Sequence, residues 1–416
     1  MKVLWLAHAI PYPPRAGFLA RSYNLLRELG RTHRIDLVAF VQEPWVTTLF
    51  PSLAEGLQQS HQALRQLCSS VTFLPIDKVK RPCGKHLTGL QALLSGGSYS
   101  GSWLVSSRGR RAIGAQLSSA SYDLIHFDTI GLAPYRELAD SVPATLTHHN
   151  VESHMMLRRA GSASNAITRA YFRHEGRKLR DLERRTASRF AAHITCSELD
   201  SARLQEIVPG VNTVVVPNGV DTDFFSPASA AERPNSLVFV GTMNWYPNVD
   251  AMHFFLREVW PALKQQLPAA TLDIAGTNPP SSLGELARNV GGVTVHGYLP
   301  DVRPLIESSA VFICPIRDGG GTKLKILDAF AMRKCVVAHP IACEGIDVTP
   351  GRDVLLASSA EEFVAQIRSA LADGERRRAV AAAARDLVEK QYSFRSIGAH
   401  FVAVLENVAG RSAPPR

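Results

Sequence analysis

The chain has 416 residues, of which 45% are hydrophobic and 20% charged, a balance that argues against a disordered or fibrous protein and for a globular one with two or three domains. Its six cysteines are scattered without a Cys-x-x-Cys pair, which argues against a disulfide framework or a zinc site and suits a reducing cytoplasm. The net charge of +9 is uneven, because residues 1–210 carry +10 and residues 211–416 carry −1.

The first apolar run covers residues 3–10 and is interrupted by Pro11. It is too short for a signal peptide or a membrane span, so it is predicted to be a buried first strand. No later apolar run has membrane-spanning length. We therefore expect a cytoplasmic protein.

Residues 1–216 alternate strand-like and helix-like segments, the pattern of a parallel, doubly wound sheet. A Pro-rich loop at 10–18, which contains Gly17, follows the first strand. Strands are predicted at 3–7, 35–41, 71–75, 122–127, 144–147, 192–196 and 213–216, and helices at 20–29, 52–67, 170–190 and 198–207.

A turn-rich stretch at 217–235 predicts a linker, after which the alternation begins again and predicts a second doubly wound domain at 236–390. The remaining residues, 391–416, are expected to contain a helix that returns to the first domain. In this architecture the carboxyl ends of the two sheets face each other across a cleft, where ligands bind. Strands are predicted at 237–240, 271–275, 293–296 and 311–314, and helices at 249–266 and 394–408.

The clearest candidate site lies between the strand at 311–314 and the next strand, which begins at Val336. The glycine loop 319–321 is followed by an apolar helical period from Leu324 to Ala331, and Thr322 is predicted to be the N-cap of that helix. Unobstructed backbone N–H groups and the positive end of the helix dipole converge there. The loop is therefore predicted to bind an anion, with phosphate as the expected one.

Ten Lys and Arg residues lie between Arg158 and Arg189, where they are opposed by three acidic residues. A solvated helix face with local ion pairs explains this composition. Docking on an anionic membrane surface also explains it. Nucleic-acid binding is the third interpretation, but neither aromatic interleaving nor a recognised binding motif accompanies the charge, so we expect no nucleic-acid partner.

Several segments carry a resemblance to a known family. They are PNGVD at 217–221, FVGTMNWYPNVDA at 239–251, GGGTKLKILDAFAMRKCVVA at 319–338 and, more weakly, the loop with Gly17, YDLIHF at 122–127 and HHNVES at 148–153. Over nearly the whole chain this combination resembles the retaining glycosyltransferases of family 4, which have the GT-B fold of two Rossmann-like domains. The triple-glycine loop and the MNWYPNVDA segment are most similar to members from bacterial exopolysaccharide clusters.

The resemblance implies transfer of a sugar of the hexosyl type from a nucleotide-diphosphate donor to an acceptor, with retention of configuration. The donor would be held mainly by the second domain, and the resemblance implies neither a metal ion nor another cofactor. The residues implied in donor binding are Gly17, Gly241, Thr242, Asp318, Gly319, Gly320, Gly321, Thr322, Lys323 and Asp328.

The sequence departs from the family pattern at its acidic positions. Asp328 falls where the family usually has a glutamate that hydrogen-bonds the ribose, and a helix-surface pair with Lys325 is its alternative role. The family's other glutamate would fall at Gly320. Asp318 is therefore the expected substitute for contact with the sugar hydroxyls.

The sequence also lacks the Arg and Lys that often grip the diphosphate in the family, because Thr242 and Pro247 occupy those positions. A leaving diphosphate develops negative charge that a cation must stabilise. We expect Lys323 to be that catalytic cation, with Arg317 or Lys325 as secondary candidates.

In the first domain the family often has a His at the end of the fourth strand, near the donor sugar. His126 and Asp128 are both candidates for this catalytic contact, and a core role is the alternative for His126. His149 and Asn150 match the family's usual pair and are expected at the acceptor side or cleft rim. Metal binding by the adjacent histidines is a competing hypothesis that lacks a further ligand at a fixed spacing.

No motif identifies the acceptor, but the basic region 158–189 supplies a hypothesis. If this region docks on an anionic inner membrane, the acceptor is a lipid-linked oligosaccharide and the protein is peripheral. Two other classes share the fold. A nucleotide-sugar epimerase would release a free epimerised sugar nucleotide, whereas a non-catalytic GT-B scaffold subunit would bind nucleotide without turnover.

Overall fold

The computed structural model describes residues 1–15, 17–76, 98–163, 165–228, 231–243, 245–319 and 322–411. The chain divides into two compact units, one of Met1–Pro217 with the chain from Ile397 onward and one of Asn218–Ser396. Each unit contains one sheet whose described strands all pair in parallel. Two doubly wound parallel sheets, the architecture predicted from the sequence, are therefore confirmed.

The first unit is built on seven strands: β1 (Lys2–Ala7), β2 (Arg34–Val41), β3 (Ser70–Pro75), β4 (Leu124–Phe127), β5 (Ala144–His148), β6 (Ala192–Thr195) and β7 (Thr213–Val215). Their order in the sheet is β3-β2-β1-β4-β5-β6-β7. The helices are α1 (Gly17–Gly30), α2 (Glu43–Leu49), α3 (Leu53–Leu64), α4 (Tyr99–Trp103), α5 (Ser107–Ser119), α6 (Glu152–Ser162), α7 (Ala166–Thr186) and α8 (Glu198–Ile207), with 3-10 turns at Ile130–Leu138 and Ala187–Arg189. Every strand predicted for this half is present.

The second unit is built on six strands: β8 (Arg233–Val240), β9 (Thr271–Ala275), β10 (Val293–Gly297), β11 (Ser309–Cys314), β12 (Cys335–Ala338) and β13 (Leu355–Leu356). Their order in the sheet is β10-β9-β8-β11-β12-β13. The helices are α9 (Tyr246–Phe254), α10 (Trp260–Gln266), α11 (Ser281–Val290), α12 (Arg303–Ser308), α13 (Leu324–Ala331), α14 (Ala360–Ala372), α15 (Gly374–Leu387) and α16 (Phe394–Arg411), with π turns at Phe255–Val259 and Val388–Tyr392 and a 3-10 turn at Pro340–Cys343. Among the described residues, none of the helices of either unit is both long and apolar enough to span a membrane.

Most of α16 belongs to the first unit. Phe401 on this helix is fully buried, and its ring lies 5.7 Å from the indole of Trp5 on β1. Gly398 packs against α1 so closely that a Cβ there would overlap the side chain of Glu28. The helix therefore completes the core of the first unit on the face of the sheet that carries Trp5.

The order of the strands reverses at one point in each sheet, between β1 and β4 in the first unit and between β8 and β11 in the second. Connections leave neighbouring strands in opposite directions at such a point, and a crevice opens at their carboxyl ends. The segments that follow these four strands therefore lie where a doubly wound sheet binds its ligands.

Candidate active site

Three polar side chains meet at the carboxyl ends of the strands in the first unit. His8 follows β1, Asp128 follows β4 and His149 follows β5. Nδ1 of His8 lies 3.7 Å from Oδ2 of Asp128, and Nε2 of His149 lies 3.3 Å from Oδ1. The hydroxyl of Ser22 on α1 donates a hydrogen bond of 2.7 Å to Oδ2 of Asp128. We name His8, Asp128 and His149 the Asp128 cluster.

The cluster holds the carboxyl group of Asp128 ionised. Burial alone would raise the pKa of Asp128, but the imidazoles of His149 and His8 outweigh burial and hold that pKa below its usual value. Burial lowers the pKa of His149, an effect that Asp128 only partly offsets. The three ligand atoms lie within 4.8 Å of one another, a spacing that a divalent cation can bridge. Both carboxylate oxygens of Asp128 already face imidazole or hydroxyl groups of the protein.

His126 lies in the core of the first unit. Its side chain is fully buried, with Nδ1 2.9 Å from the hydroxyl of Thr145 and the ring 4.3 Å from Trp5 and 5.3 Å from Phe401. Burial lowers its pKa to about 3, so the ring stays neutral. This enclosure contradicts the predicted catalytic role, because a substrate atom cannot reach the imidazole without opening the core. We correct His126 to a core residue, and Asp128 is the member of the predicted pair at the strand end.

The other predicted residues of the first unit lie around the cluster. His148 turns into the core, where its Nε2 lies 3.0 Å from Nδ1 of His193. Asn150 follows His149 and is partly exposed. Gly17 is the exposed first residue of α1, so it begins a helix and adopts no left-handed turn.

In the second unit the loop after β11 curls back on itself. Gly319 has a φ of +111°, a conformation that favours glycine, and its N–H donates to Oδ1 of Asp318 at 2.6 Å. The ammonium of Lys323 donates to the carbonyl of Gly319 at 2.7 Å, and Lys323 is only 4% exposed. Gly320 and Gly321 lie outside the described residues. The described part of the loop thus places the Lys323 ammonium beside the start of α13.

The prediction that Thr322 is the N-cap is wrong. Helix α13 begins at Leu324, and Lys323 occupies the N-cap position without a side-chain capping hydrogen bond. The carbonyl of Lys323 accepts the first bond of this turn, from the N–H of Ile326 at 2.9 Å. Thr322 therefore precedes the cap, and within the described chain its buried hydroxyl has no hydrogen-bond partner. A buried hydroxyl of this kind is costly to leave unsatisfied, and a ligand oxygen would satisfy it.

Lys325, in the first turn of α13, turns toward the end of β8. Its Nζ donates to Oδ1 of Asn248 at 2.5 Å and lies 4.4 Å from the centre of the Phe239 ring. A Cβ on Gly241 would overlap this ammonium. The carbonyl of the exposed Thr242 accepts from Nδ2 of Asn248 at 2.8 Å. The loops after β8 and β11 thus meet around one lysine.

Asp328 lies one turn further along α13. Burial raises its pKa to about 7, and the charge of Lys325 offsets only part of this effect. In the described chain no ion pair joins the two side chains, so the helix-surface pair that we considered is not formed. Arg317 has other partners. It forms an ion pair of 3.2 Å with Asp250, and its guanidinium lies 4.0 Å from the centre of the Phe254 ring. Of the two secondary cations, Lys325 is therefore the one without an ion pair among the described residues.

Two protein-family models match segments of this chain. A family model described as Glycosyltransferase Family 4 matches residues 82–224, and one described as Glycosyl transferases group 1 matches residues 234–373. Together these matches cover more than half of the chain. The chain belongs to the group 1, family 4 glycosyltransferases.

This glycosyltransferase is 25% identical over 139 residues to an uncharacterised 44.6 kDa protein in the cps region of Klebsiella pneumoniae, a match that spans 32% of the chain and 36% of that protein. Its fold is similar to sucrose-phosphate synthase from Thermosynechococcus elongatus, with a TM-score of 0.69 and 15% identity over 99% of this chain and 100% of that one. It is also similar to HepE from Anabaena in complex with UDP, with a TM-score of 0.67 and 15% identity over 98% and 100% of the chains. At these identities the likeness shows the fold alone, and it confirms the predicted GT-B class.

Three side chains of the glycosyltransferase's candidate site were missed from the sequence. His8 and Ser22 complete the surroundings of Asp128, and Asn248 orients Lys325. His8 could have been predicted as a site residue from the sequence, since it is the first polar side chain after a buried strand in a predicted doubly wound sheet. Ser22 and Asn248 lie on helices, where nothing in the local sequence separates them from surface residues.

Proposed function

We propose that this glycosyltransferase moves a hexosyl group from a nucleotide-diphosphate sugar to an acceptor with retention of configuration. The observation that carries the proposal is the placement of Lys323 and the Gly319 loop at the N-terminus of α13, in the crevice where the second sheet reverses its order. A diphosphate fits this environment, because backbone amides at a helix start and a lysine both attract anions.

The proposed mechanism follows from charge development. As the glycosidic bond to the donor breaks, negative charge accumulates on the leaving diphosphate, and a preorganised cation stabilises that charge more than it stabilises the ground state. Lys323 is preorganised for this role by its bond to the Gly319 carbonyl. The buried hydroxyl of Thr322 is available to donate to a phosphate oxygen. These residues supply the electrostatic stabilisation without a metal ion, and the proposal includes no other cofactor.

The remaining donor contacts are assigned by position. Asp328 is proposed to accept from a ribose hydroxyl, and Asp318, beside the loop, to contact the sugar hydroxyls. Gly241 and Thr242 form the strand end against which the diphosphate lies. In the first unit Asp128 is proposed as the polar contact near the transferred sugar, and His149 with Asn150 on the acceptor side.

The role in polysaccharide or glycolipid assembly is supported by the partial match to a protein of a Klebsiella pneumoniae cps region. HepE is described in complex with UDP-glucose, which makes UDP-sugars the first donors to test. The acceptor is proposed to be a lipid-linked oligosaccharide, and the protein to be cytoplasmic and peripheral at the inner membrane. The supporting surface lies on α7, where exposed Arg169 and Arg173 accompany Ile167 and Tyr171, 84% and 39% exposed.

The direct test of the activity is a panel of UDP-, GDP- and ADP-sugars, screened first by thermal shift and then by mass analysis of the products. We expect one donor class to stabilise the protein and to yield nucleoside diphosphate together with a glycoside or, without acceptor, slow donor hydrolysis. Release of an epimerised sugar nucleotide would instead identify an epimerase. Donor binding with neither transfer nor hydrolysis would identify a non-catalytic subunit.

The membrane hypothesis has its own test. Co-sedimentation with liposomes should be strong when they contain anionic lipid, weak when they are zwitterionic, and steeply reduced by salt. Replacing both Arg169 and Arg173 by Gln should weaken it, while replacing the basic residue Arg352, which lies on the second unit, should not. Equal recovery with both lipid compositions would refute membrane docking and leave the transferase proposal standing.

A further inference from the structure

Lys325 carries a charge that the described chain leaves without a counter-ion. Its ammonium donates to a neutral amide oxygen, Oδ1 of Asn248, and faces the ring of Phe239. No carboxylate of the described residues forms an ion pair with it. A partly buried cation with only neutral partners is less favourable than a paired one, and an anionic ligand would supply the missing charge.

The surrounding titratable groups do not compensate Lys325. Lys323 is close enough to repel it. Asp328 attracts it, but burial raises the pKa of Asp328 to about 7, so this carboxyl group is only partly ionised at neutral pH. Burial also raises the pKa of Cys314 at the end of β11, which keeps that thiol neutral. Lys323 and Lys325 are therefore two cations beside the carboxyl ends of β8 and β11 that Asp328 and Cys314 do not neutralise.

Two neighbours fix the position of the ammonium. Asn248 is 2% exposed, and its Nδ2 donates to the carbonyl of Thr242, which directs Oδ1 toward Lys325. Gly241 leaves the space that the ammonium occupies, since any side chain there would overlap it. The cation is thus held on rigid elements, as a binding group must be.

We propose that Lys325 is a specific contact for the diphosphate of the donor and acts with Lys323 as a two-cation clamp. This inference rests on the proposed function and deepens it by naming the second charge. The two phosphates of a diphosphate can each face one ammonium group, whereas a monophosphate, although also doubly charged near pH 8, presents a single phosphate. Asn248 and Gly241 are positioning residues, which act through Lys325.

Binding of a diphosphate to the clamp should change the protonation of Lys325. Enclosure by protein lowers the pKa of Lys325 to about 8, so the free protein loses this charge as the pH rises through that value. A bound polyanion favours the ammonium form and raises the pKa again. Binding of a diphosphate near pH 8 should therefore take up roughly half a proton at Lys325.

Titration calorimetry at pH 8 in two buffers of different ionisation enthalpy measures this uptake, with UDP, GDP and ADP as probes because their phosphates are fully ionised there. Wild type should take up roughly half a proton with the diphosphate that it binds. Lys325→Met should take up none and lose at least about tenfold in affinity for that diphosphate, but less than about threefold for the matching monophosphate. Lys264→Met is the control, because Lys264 also donates to neutral oxygens and faces an indole on the same unit.

The outcomes separate this inference from the function on which it rests. Binding of a diphosphate without proton uptake, or with equal uptake in wild type and Lys325→Met, overturns the clamp and leaves the transferase proposal intact. A wild type that binds no nucleoside diphosphate overturns both. If Lys325→Met does not fold, the uptake measured on wild type decides alone.

Discussion

The Asp128 cluster of the first unit and the lysine pair of the second unit both lie at the carboxyl ends of strands where a sheet reverses its order, yet their charges are organised in opposite ways. Asp128 lies between His8 and His149 and accepts from Ser22, so its carboxylate has polar partners within the protein. Lys325 meets only neutral partners, and Lys323 repels it. The carboxylate of the first site has partners within the protein, whereas we propose that an anionic ligand supplies the counter-charge at the second.

The largest effect that this comparison predicts is on activity. Lys323→Ala should lower kcat by about 100-fold or more, because a preorganised charge at the leaving group acts mainly in the transition state. The thermal transition should be unchanged. Donor turnover and unfolding midpoint are measured together, with Lys264→Ala as the control outside the site. Retained turnover in Lys323→Ala would refute the role.

The second prediction concerns the stability contributed by the Asp128 cluster. Asp128→Asn removes the carboxylate that faces two imidazoles and the Ser22 hydroxyl, and it should cost about 2 kcal/mol in the free energy of unfolding. The folded pKa of Asp128 is depressed, so its contribution is present above the unfolded pKa and is lost as the pH falls through the folded one. Denaturant unfolding at pH 7 and at about pH 2, which lies below the unfolded value of 3.8, should show a destabilisation by Asp128→Asn at pH 7 that is smaller at pH 2. Asp140→Asn, at an exposed ion pair, is the control and should change little.

The third prediction concerns Lys325, whose replacement should raise the free energy of unfolding instead of lowering it. Lys325→Met should stabilise the ligand-free protein at pH 7 by about 1–2 kcal/mol, because it removes an enclosed charge without a counter-ion and nearly conserves volume. With a folded pKa of about 8 below the unfolded value, wild-type stability should rise as the pH increases from about 8 to 10, and this rise should vanish in the variant. A lower unfolding midpoint for Lys325→Met would mean that this lysine serves the fold and not a ligand.

The smallest effect concerns Asp328. Its folded pKa of about 7 lies above the unfolded value, so the native state binds more protons between pH 4 and 7 and wild type loses stability as the pH rises through that window. Asp328→Asn cannot ionise and should be about 1 kcal/mol more stable at pH 8, with weaker nucleoside binding. An unfolding profile that keeps the wild-type slope between pH 4 and 7 would show that another group titrates there.

The sequence predicted what depends on local periodicity. Buried parallel strands are continuous apolar runs, and the strands predicted at 3–7, 35–41 and 271–275 appear within one residue of those bounds. The glycine loop was recognisable because it separates an apolar strand from a helical period. These features placed the candidate anion site after β11, where the structure has the Gly319 loop and Lys323.

The sequence did not predict what depends on contacts between distant segments. His126 and Asp128 are two residues apart, and only the packing of Trp5 and Phe401 shows that the strand buries the first and ends at the second. Lys325 and Asn248 are 77 residues apart, so no local pattern connects them. The N-cap also lies at Lys323 and not at Thr322, although threonine is the better capping residue.

The central claim, that the second unit holds a diphosphate, is tested most directly by thermal unfolding of the full chain with UDP, GDP or ADP against the matching monophosphates. At about 100 times its dissociation constant, the preferred diphosphate should stabilise the protein by about 2.7 kcal/mol, and its monophosphate at the same concentration by much less. Lys323→Ala should abolish the difference between the two. Equal stabilisation of wild type by both nucleotides, or by neither, would contradict the account.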